Sequence, residues 1–578
     1  MKVHGVILTG LMVFWLAACT SEPPEPPAAA TPEDLLAHSE EFRRDLIEVA
    51  DGVHVAIGYG IANSIMIEGE DGIIIVDTME SMESAREVAA LFREITDAPV
   101  RAMVYTHSHP DHIGGGPAFL APGQSRDEVA VYAHDKVPAA MDEIAGLLRP
   151  VITQRAMHMY GRTLPEDQRT NIGIGAFLAV DKDSTLDVMR PTHTFADKKL
   201  IEVAGVEMHL VYAPGETDDQ IFVWLPQQKV LLPGDNFYKA FPNVYTIRGT
   251  RYRDARQWAD SIDLMRRLQP EYLVPSHGRP LSGSEEISRH LTDYRDGLRY
   301  VFDQTVRMMN QGLGPEEIDR RLQLPPHLAQ SPYLQEFYGK PGWSARSTYS
   351  GLLGWYDGNP SNLHPLPAEE KAARVAEMAG GLEVMLASLE QAAEAGDHQW
   401  LLELSDYVLA LEPAHARARE LRAGAMRALA AVESNPNARH YYLSVAGEVE
   451  GLWQAPDEMV QPQPEMVGQI PLEIFFEGMA VALNGPSAWD VEQAVVFEFS
   501  DLDEAWTLIV RRGVIERVPG VADTPDIHVR VDSQAFREML AGLRNPVVSI
   551  ARDYEYVEGG RVALARFLRL FDVEAGAD

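Results

Sequence analysis

The 578-residue sequence contains one cysteine, Cys19. A single cysteine cannot form a disulfide within the chain, and it cannot build a zinc site from several thiolates. Any metal site must therefore draw on histidine and carboxylate side chains. The apolar run at residues 6–18 is too short to be a good membrane span.

Positive charge is also scarce in this chain. Fifty lysines and arginines face 86 aspartates and glutamates, which gives a net charge of −36. This imbalance argues against a nucleic-acid partner, because such proteins carry basic patches that neutralise phosphates. An apolar content of 46% and a charged content of 24% are typical of a soluble globular protein, and the length suits several domains.

The position of Cys19 suggests a role for it. Met1-Lys2 gives a basic start, and the apolar run ends in L-A-A-C at residues 16–19, which resembles a bacterial lipoprotein signal. The resemblance implies a leader at 1–19, lipid attachment through Cys19, and a periplasmic protein held at the outer membrane, since Thr20 replaces a retention aspartate. An ordinary secretory peptide with a chance cysteine is the alternative. Residues 20–36, rich in proline and alanine, are predicted to be an extended linker.

The densest chemistry lies at residues 107–112, which read H-S-H-P-D-H and precede I-G-G-G. Residues 100–106 are β-branched and apolar, which predicts a strand, and the glycines predict a tight turn after the hexad. On an extended segment His107 and His109 point to the same side, whereas Asp111 and His112 lie past the turn and can face a second ion. Imidazole and carboxylate together suit zinc. The alternative is a polar loop whose histidines only form hydrogen bonds.

The hexad and its setting resemble the metallo-β-lactamase superfamily, which takes further ligands from later loops. Residues 213–217 (A-P-G-E-T), 232–236 (L-P-G-D-N) and 275–278 (P-S-H-G) occur in the corresponding order. Glu216 stands where histidine is usual, and this resembles the alkyl sulfatase branch. That branch usually has glutamate where this chain has Asp235, so the site mixes two patterns.

This resemblance implies two zinc ions per chain. One ion would be held by His107, His109 and Glu216, and Asp235 would bridge the two. The other would be held by Asp111, His112 and His277. Asp111 and Asp235 would also take part in catalysis.

Arg248 is the candidate for sulfate binding. It lies in Y-T-I-R-G at residues 245–249, which resembles an arginine-bearing stretch of alkyl sulfatases. A guanidinium suits sulfate because its fork of donors meets two oxygens at once and stays charged. A surface arginine paired with an acid is the alternative. Tyr349 is a second candidate for lining the site, although the family motif S-H-N-V upstream of it is replaced here by S-A-R-S at 344–347.

Other polar residues receive structural interpretations. Asp77, at the end of an apolar strand, is interpreted as a strand-end cap rather than as a group supporting a ligand. His134, His158 and His193 are interpreted as structural because none lies in a ligand motif.

Three folded units are predicted. Residues 37–300 alternate strands and helices, and the resemblance implies an αββα metallo-β-lactamase sandwich. Residues 301–435 show helical periodicity, and Y-S-G-L-L-G-W-Y-D-G-N-P at 349–360 resembles the alkyl sulfatase dimerisation domain, which implies a homodimer. Residues 436–578 contain alternating strands and resemble a sterol-carrier-like α+β domain. That last unit would hold an alkyl chain, or would serve only as a packing module.

The predicted function is zinc-dependent hydrolysis of alkyl sulfate esters to alcohol and inorganic sulfate. Two other functions remain open. One is another hydrolase of the same fold, acting on lactones, β-lactams or phosphoesters. The other is a lipid-anchored protein that binds amphiphiles and has an inactive metal site.

Overall fold

The computed structural model describes residues 30–144, 148–178, 180, 183–453 and 461–571. The predicted leader, Cys19 and most of the predicted linker lie outside the described residues. Within these described ranges, no helix has both the length and the apolar character needed to cross a membrane.

The first unit contains two facing sheets. The seven-stranded sheet has the order β1-β2-β3-β4-β5-β6-β8, and the six-stranded sheet has the order β14-β13-β12-β11-β10-β9. The strands are β1 (Asp45–Ala50), β2 (Val53–Ile57), β3 (Ser64–Glu68), β4 (Ile73–Val76), β5 (Val100–Val104), β6 (Ala130–His134), β7 (Thr185–Leu186), β8 (His193–Phe195), β9 (Lys198–Val203), β10 (Val206–Tyr212), β11 (Ile221–Leu225), β12 (Val230–Leu232), β13 (Tyr272–Leu273) and β14 (Leu281–Ser282).

One hydrophobic cluster joins the two sheets. Ile74 and Val104 of the first sheet are packed in it with Leu210 and Val223 of the second, and all four are fully buried. Strands β2 and β3 are buried on both faces, which explains why their sequences are largely apolar.

Helices cover the outer faces of both sheets and complete the predicted αββα sandwich. Val88 and Phe92 of the second helix pack against Met103 of β5, and Trp258 of the sixth packs against Leu231 of β12. The helices are α1 (Pro32–His38), α2 (Met82–Ile95), α3 (Pro110–Ile113), α4 (Val137–Ile144), α5 (Arg149–Met159), α6 (Ala255–Arg267) and α7 (Ser284–Asn310). Helix α7 runs through residue 300, where the sequence placed a boundary.

The second unit is helical, as predicted. Its elements are α8 (Pro315–Arg321), α9 (Pro326–Ala329), α10 (Pro341–Leu353), α11 (Ala368–Ala379), α12 (Leu382–Ala395), α13 (His398–Leu411), α14 (Ala416–Val432) and α15 (Pro436–Glu450). Helix α15 packs on α14 and on α5, so the residues after 435 continue this unit. Within the helical region predicted over 301–435, α11 and α12 are separate helices, because Gly380 and Gly381 adopt φ values of 98° and 112°.

The third unit is an α+β fold. A five-stranded sheet of order β18-β17-β16-β19-β20 packs one face against helices. The elements are β15 (Gln461–Pro462), α16 (Pro464–Gln469), α17 (Leu472–Ala482), β16 (Glu492–Phe499), β17 (Glu504–Arg511), β18 (Val514–Pro519), β19 (Ile527–Val531), α18 (Ser533–Leu540), α19 (Pro546–Arg552), β20 (Tyr554–Glu558) and α20 (Arg561–Leu568).

Aromatic rings fill the space between this sheet and its helices. The Phe476 ring lies 5.2 to 5.9 Å from those of Phe497, Trp506 and Phe536. These rings form the core of the unit, and the alkyl-binding role stays a prediction.

Candidate metal centre

The hexad lies at the end of a strand, as predicted. Strand β5 ends at Val104, and His107 follows three residues later. Residues 110–113 form helix α3, so Asp111 and His112 occupy its first turn. The rings of His107 and His109 lie with their centroids 4.5 Å apart, which agrees with the expectation that they share a side.

The later loops bring their predicted ligands to the hexad. Asp235 lies in the middle: its Oδ2 is 3.0 Å from His277 Nε2 and 3.7 Å from His107 Nε2, and its Oδ1 is 3.4 Å from His112 Nε2. Asp111 Oδ2 lies 3.4 Å from His112 Nε2 and 3.7 Å from His277 Nε2. Residues separated by more than 160 positions in the sequence therefore share one pocket.

The donor atoms form three overlapping groups, each with atoms within 4.8 Å of one another. Asp235 belongs to two of them, as a bridging carboxylate should. The second predicted set is one of these groups, whereas His107 is grouped with His112 rather than with His109 and Glu216. The groups are His107, His112 and Asp235; Asp111, His112 and His277; and His109, Glu216 and Asp235.

The chemistry of these atoms fits a metal ion. His107 Nε2, His112 Nε2, Glu216 Oε2 and Asp235 Oδ1 are buried and have no hydrogen-bond partner among the described residues. A buried polar atom without a partner is costly, and a bound cation would supply the missing interaction for all four.

Each buried histidine is oriented by a partner on its other nitrogen. His277 Nδ1 donates to the carbonyl of Ile61 at 2.9 Å, and His112 Nδ1 lies 2.7 Å from Asp77 Oδ2. His107 Nδ1 lies 3.1 Å from the Thr106 hydroxyl. In all three residues the Nε2 atom is thereby directed into the cluster, which is how metal-binding histidines are commonly fixed.

Asp77 does more than the predicted capping. Its carboxylate accepts from the Thr106 amide and hydroxyl, both at 2.8 Å, and from the Ser276 hydroxyl at 3.0 Å, while also facing His112. The interpretation as a cap alone is thus incomplete, because the sequence could not show that the loops carrying His112 and His277 converge on this strand end.

The loop bearing Glu216 is fixed by Asn236. The Asn236 amide donates to the Ala213 carbonyl at 2.6 Å, and its Oδ1 accepts from the Glu216 amide at 3.4 Å. A Cβ atom on Gly215 would lie 2.0 Å from that Oδ1, so glycine is required for this approach. The two loops are locked together beside the metal-binding atoms.

Burial and neighbouring charges together set the pKa values of the clustered side chains. Burial, with the neighbouring His112, lowers the pKa of His107 to about 4. Burial alone would raise the pKa of Asp235, but His277, His112 and His107 outweigh it and hold that pKa well below its usual range. A neutral His107 and an ionised Asp235 are the protonation states that bind metal. Burial alone would lower the pKa of His112 and His277, but nearby carboxylates outweigh it and raise both, so a metal ion would displace protons from these two rings.

Glu80 is a buried acid near the cluster that the sequence did not indicate. Burial, reinforced by the charge of Asp111, raises its pKa to about 8, and its carboxyl group accepts from the Ile61 amide at 3.2 Å. Ile61 is also the residue whose carbonyl orients His277. Glu80 therefore supports the segment that positions a predicted ligand.

Arg248 lies beside the cluster, as predicted. Its side chain is half-buried, interacts with the hydroxyl of Tyr160, and lowers the pKa of His109, although burial is the larger cause of that shift. Tyr160 was not identified from the sequence. Tyr349 instead lies on α10, buried within the main hydrophobic core, and its role in lining the site stays a prediction.

A second arginine in the same loop was missed. Arg253 is 4% exposed and pairs with Glu216, with Nη1 2.7 Å from Oε1. Arg251 points outward, with a side chain 83% exposed. The only signal in the sequence was the recurrence of arginine at 248, 251 and 253, which does not reveal which of them face inward.

The three histidines interpreted as structural are not among these donor groups. His134 Nε2 donates to the Ala196 carbonyl at 2.7 Å, and the ring stacks on Tyr212. His158 lies 2.7 Å from Glu448, and His193 is exposed.

Family models match nearly the whole folded chain. The metallo-beta-lactamase superfamily model matches residues 57–277, the alkyl sulfatase dimerisation model matches 314–451, and the alkyl sulfatase C-terminal model matches 461–576. The first match defines the class to which this fold and cluster belong, the metallo-β-lactamase superfamily.

Proteins of similar sequence and structure indicate which branch of this superfamily the chain belongs to. The chain is 37% identical over 522 residues to a linear primary-alkylsulfatase of Pseudomonas sp., covering 88% of this chain and 98% of the relative. It is 28% identical over 561 residues to an (R)-specific secondary-alkylsulfatase of Pseudomonas sp., covering 94% and 84%. The solved structure of a stereoselective inverting sec-alkylsulfatase from Pseudomonas sp. superposes with a TM-score of 0.85 at 27% identity, covering 94% and 88%. This chain therefore belongs to the alkyl sulfatase family of metallo-β-lactamase-fold proteins.

Proposed function

We propose that this protein hydrolyses alkyl sulfate esters to the alcohol and inorganic sulfate at a two-zinc centre. The observation that carries the proposal is the convergence of unpartnered, buried imidazole and carboxylate atoms beside a half-buried arginine. The names of the relatives support the substrate class, since they act on primary and secondary alkyl sulfates.

The residues that would hold the ions are the seven predicted ligands. When bound, zinc would polarise an oxygen and lower the pKa of a coordinated water to about 7, besides neutralising anionic charge. The ligand set is His107, His109, Asp111, His112, Glu216, Asp235 and His277.

Arg248, Tyr160 and His109 define the side on which the sulfate group would bind. Arg248 stays charged, interacts with Tyr160, and is close enough to His109 to lower its pKa. A guanidinium and a phenol hydroxyl offer donors to the sulfate oxygens, and they would stabilise the negative charge that remains on the leaving sulfate.

Asp111 marks the open side of the cluster. Its side chain is 16% exposed, whereas those of His112, Asp235 and His277 are at most 2% exposed. A proton released when water attacks the ester can therefore reach solvent by way of the Asp111 carboxylate. Asp235, enclosed by three histidines, would instead keep its charge and hold the ligands in place.

Metal analysis combined with a substrate panel tests this proposal. We expect two zinc ions per chain and release of sulfate from primary or secondary medium-chain alkyl sulfates, with loss of both metal and turnover in His109→Ala. A protein that binds zinc but hydrolyses only a chromogenic β-lactam, a lactone or a phosphoester would belong to the other hydrolase class. A fully loaded protein without turnover on any of these would be the amphiphile-binding protein.

Arg248→Ala tests the substrate side separately from the metal. We expect kcat/KM for an alkyl sulfate to fall roughly 10- to 100-fold, the effect of losing charge-assisted hydrogen bonds, with unchanged zinc content. Arg251→Ala, on the same loop but exposed, is the matched control. Unchanged kinetics in Arg248→Ala would remove its role.

We further propose a homodimer and a lipid anchor. The match to the dimerisation model supports the first, and the sequence around Cys19 alone supports the second. Incorporation of radiolabelled palmitate in a bacterial host, lost in Cys19→Ser, would test the anchor and its envelope location.

A further inference from the structure

Arg253 and Glu216 form a buried ion pair next to the proposed metal site. Their side chains are 3% and 1% exposed, and Arg253 Nη1 lies 2.7 Å from Glu216 Oε1. The same Nη1 donates to the Asn243 carbonyl at 2.7 Å, and the Arg253 Nε donates to the Thr250 hydroxyl at 3.3 Å. These bonds fix Nη1 and Nε of the guanidinium, whereas its Nη2 is buried and has no hydrogen-bond partner among the described residues.

The ion pair gives the two carboxylate oxygens of Glu216 different surroundings. Oε1 of Glu216 is occupied by Arg253, whereas Oε2 is buried and has no hydrogen-bond partner among the residues that the structure describes. Glu216 shares a donor group with His109 and Asp235. The arrangement therefore leaves a single oxygen of Glu216 to face a cation.

The pair also changes the charge of the ligand. A glutamate brings one negative charge where a histidine ligand would be neutral, and the guanidinium cancels it. At a separation of about 6 Å and an effective dielectric constant of about 20, one unit charge changes the binding constant of a cation by more than about tenfold. The net charge of the groups beside the ion therefore has a large effect on how tightly the ion binds.

We propose that Arg253 turns Glu216 into an electrically neutral, one-oxygen ligand, which gives the site the charge of a histidine ligand. The inference rests on the proposed zinc centre. It explains how a carboxylate can replace a histidine without adding charge.

A purely structural role makes a different prediction. If Arg253 only joined the loop at 243–253 to the loop at 213–217, its removal would weaken zinc binding or leave it unchanged, whatever residue stood at 216. Charge compensation instead predicts that the effect of removing Arg253 depends on the residue at 216.

The test is zinc affinity, measured by competition with a chromophoric chelator, in Glu216→His with and without Arg253→Met. Glu216→His alone leaves an unpaired cation beside a neutral ligand, and we expect its zinc affinity to fall at least about tenfold below wild type. Adding Arg253→Met should restore at least about tenfold. Adding Arg251→Met instead should restore nothing, since that arginine is exposed. No recovery in the Glu216→His, Arg253→Met protein would overturn the proposal.

A second measurement keeps the test open if those variants fold poorly. In Arg253→Met with Glu216 retained, the zinc-free protein loses the partner of a buried carboxylate, whereas zinc can replace that partner. We expect the rise in melting temperature on zinc addition at pH 8 to exceed that of wild type, with Arg253→Lys close to wild type. An equal rise in Arg253→Met and wild type would count against charge compensation. Failure of wild type itself to bind zinc would instead refute the proposed function.

Discussion

At the scale of single residues, one carboxylate connects three ligand loops. Asp77 adopts a positive φ of 58°, and its carboxylate forms hydrogen bonds with Thr106, His112 and Ser276. These neighbours are, or adjoin, the proposed ligands His107, His112 and His277. The orientation of the proposed metal-binding histidines therefore depends on a residue that would not touch the metal.

Asp77→Asn should weaken zinc binding. The amide cannot accept from all of these donors, and His112 loses its anionic partner, so we expect zinc affinity to fall 10- to 100-fold, in keeping with the effect of other outer-shell changes. Chelator competition measures the change, and Asp45→Asn, whose carboxylate pairs with Arg279 away from the cluster, is the control. Equal affinity in Asp77→Asn and wild type would contradict this role.

A buried histidine outside the site predicts acid sensitivity. His38 donates to the Gly173 carbonyl at 2.9 Å and stacks on Phe337, and burial lowers its pKa to about 4 from 6.5. The unfolded chain therefore binds a proton that the folded protein does not, and stability is lost as the pH falls from 6.5 towards 4, by up to about 3 kcal/mol. In His38→Gln, which can still donate to Gly173, the melting temperature should depend less on pH over this window. An unchanged slope would show that His38 is not responsible.

At the scale of elements, helix α15 of the second unit supports the substrate side of the first. His158 of α5 lies 2.7 Å from Glu448 of α15, and Tyr160, the neighbour of Arg248, comes two residues later. A Cβ atom on Gly161 would lie 2.9 Å from the ring of His440, so the chain after α5 passes tightly against α15. Movement of α15 would therefore displace Tyr160.

Glu448→Gln should impair turnover without affecting metal. Loss of the ion pair loosens the end of α5, and we expect kcat/KM for an alkyl sulfate to fall about threefold to tenfold at constant zinc content. Glu450→Gln is the matched control, since Glu450 lies on the same helix and pairs with Arg427 instead. A loss of zinc in Glu448→Gln would place its effect elsewhere.

Features that depend on neighbouring residues could be predicted from the sequence, whereas features that depend on contacts between distant segments could not. Strands β2 and β5 and the ligands at strand ends were predictable, because local apolar runs and the family motifs specify them. The break at Gly380 between α11 and α12 was missed, since a helical pattern of apolar residues continues on both sides. The inward turn of Arg253 was not predictable, because it depends on Glu216, a residue from another loop.

At the scale of the whole molecule, one exposed apolar surface is conspicuous. The last residue of α10, Leu353, is 59% exposed, and the segment after the helix leaves Trp355 75% exposed, with Leu363 and Leu366 also exposed. It lies in the region matched by the dimerisation model. An apolar surface of this kind is expected to be covered by a partner, and a second copy is the partner that the match favours.

Trp355→Glu should shift the protein towards monomer. A charge in an apolar interface is costly, so we expect analytical ultracentrifugation at micromolar concentration to show a lower mass than wild type. Val562→Glu, equally exposed but in the third unit, serves as the control and should leave the mass unchanged. A dimeric Trp355→Glu protein would place the interface elsewhere.

The third unit is attached by a short backbone pairing next to the ligand loop. Strand β15 runs parallel to β7, and the Gln463 amide donates to the Leu186 carbonyl at 3.2 Å. Asp187, which follows Leu186 at the end of β7, donates its backbone amide to the Gly114 carbonyl at 3.0 Å. Gly114 comes directly after α3. Replacing the C-terminal portion of one sulfatase with that of another would therefore alter the backbone contacts that support Asp111 and His112. Such a chimera would need to include β7 together with β15, its partner strand.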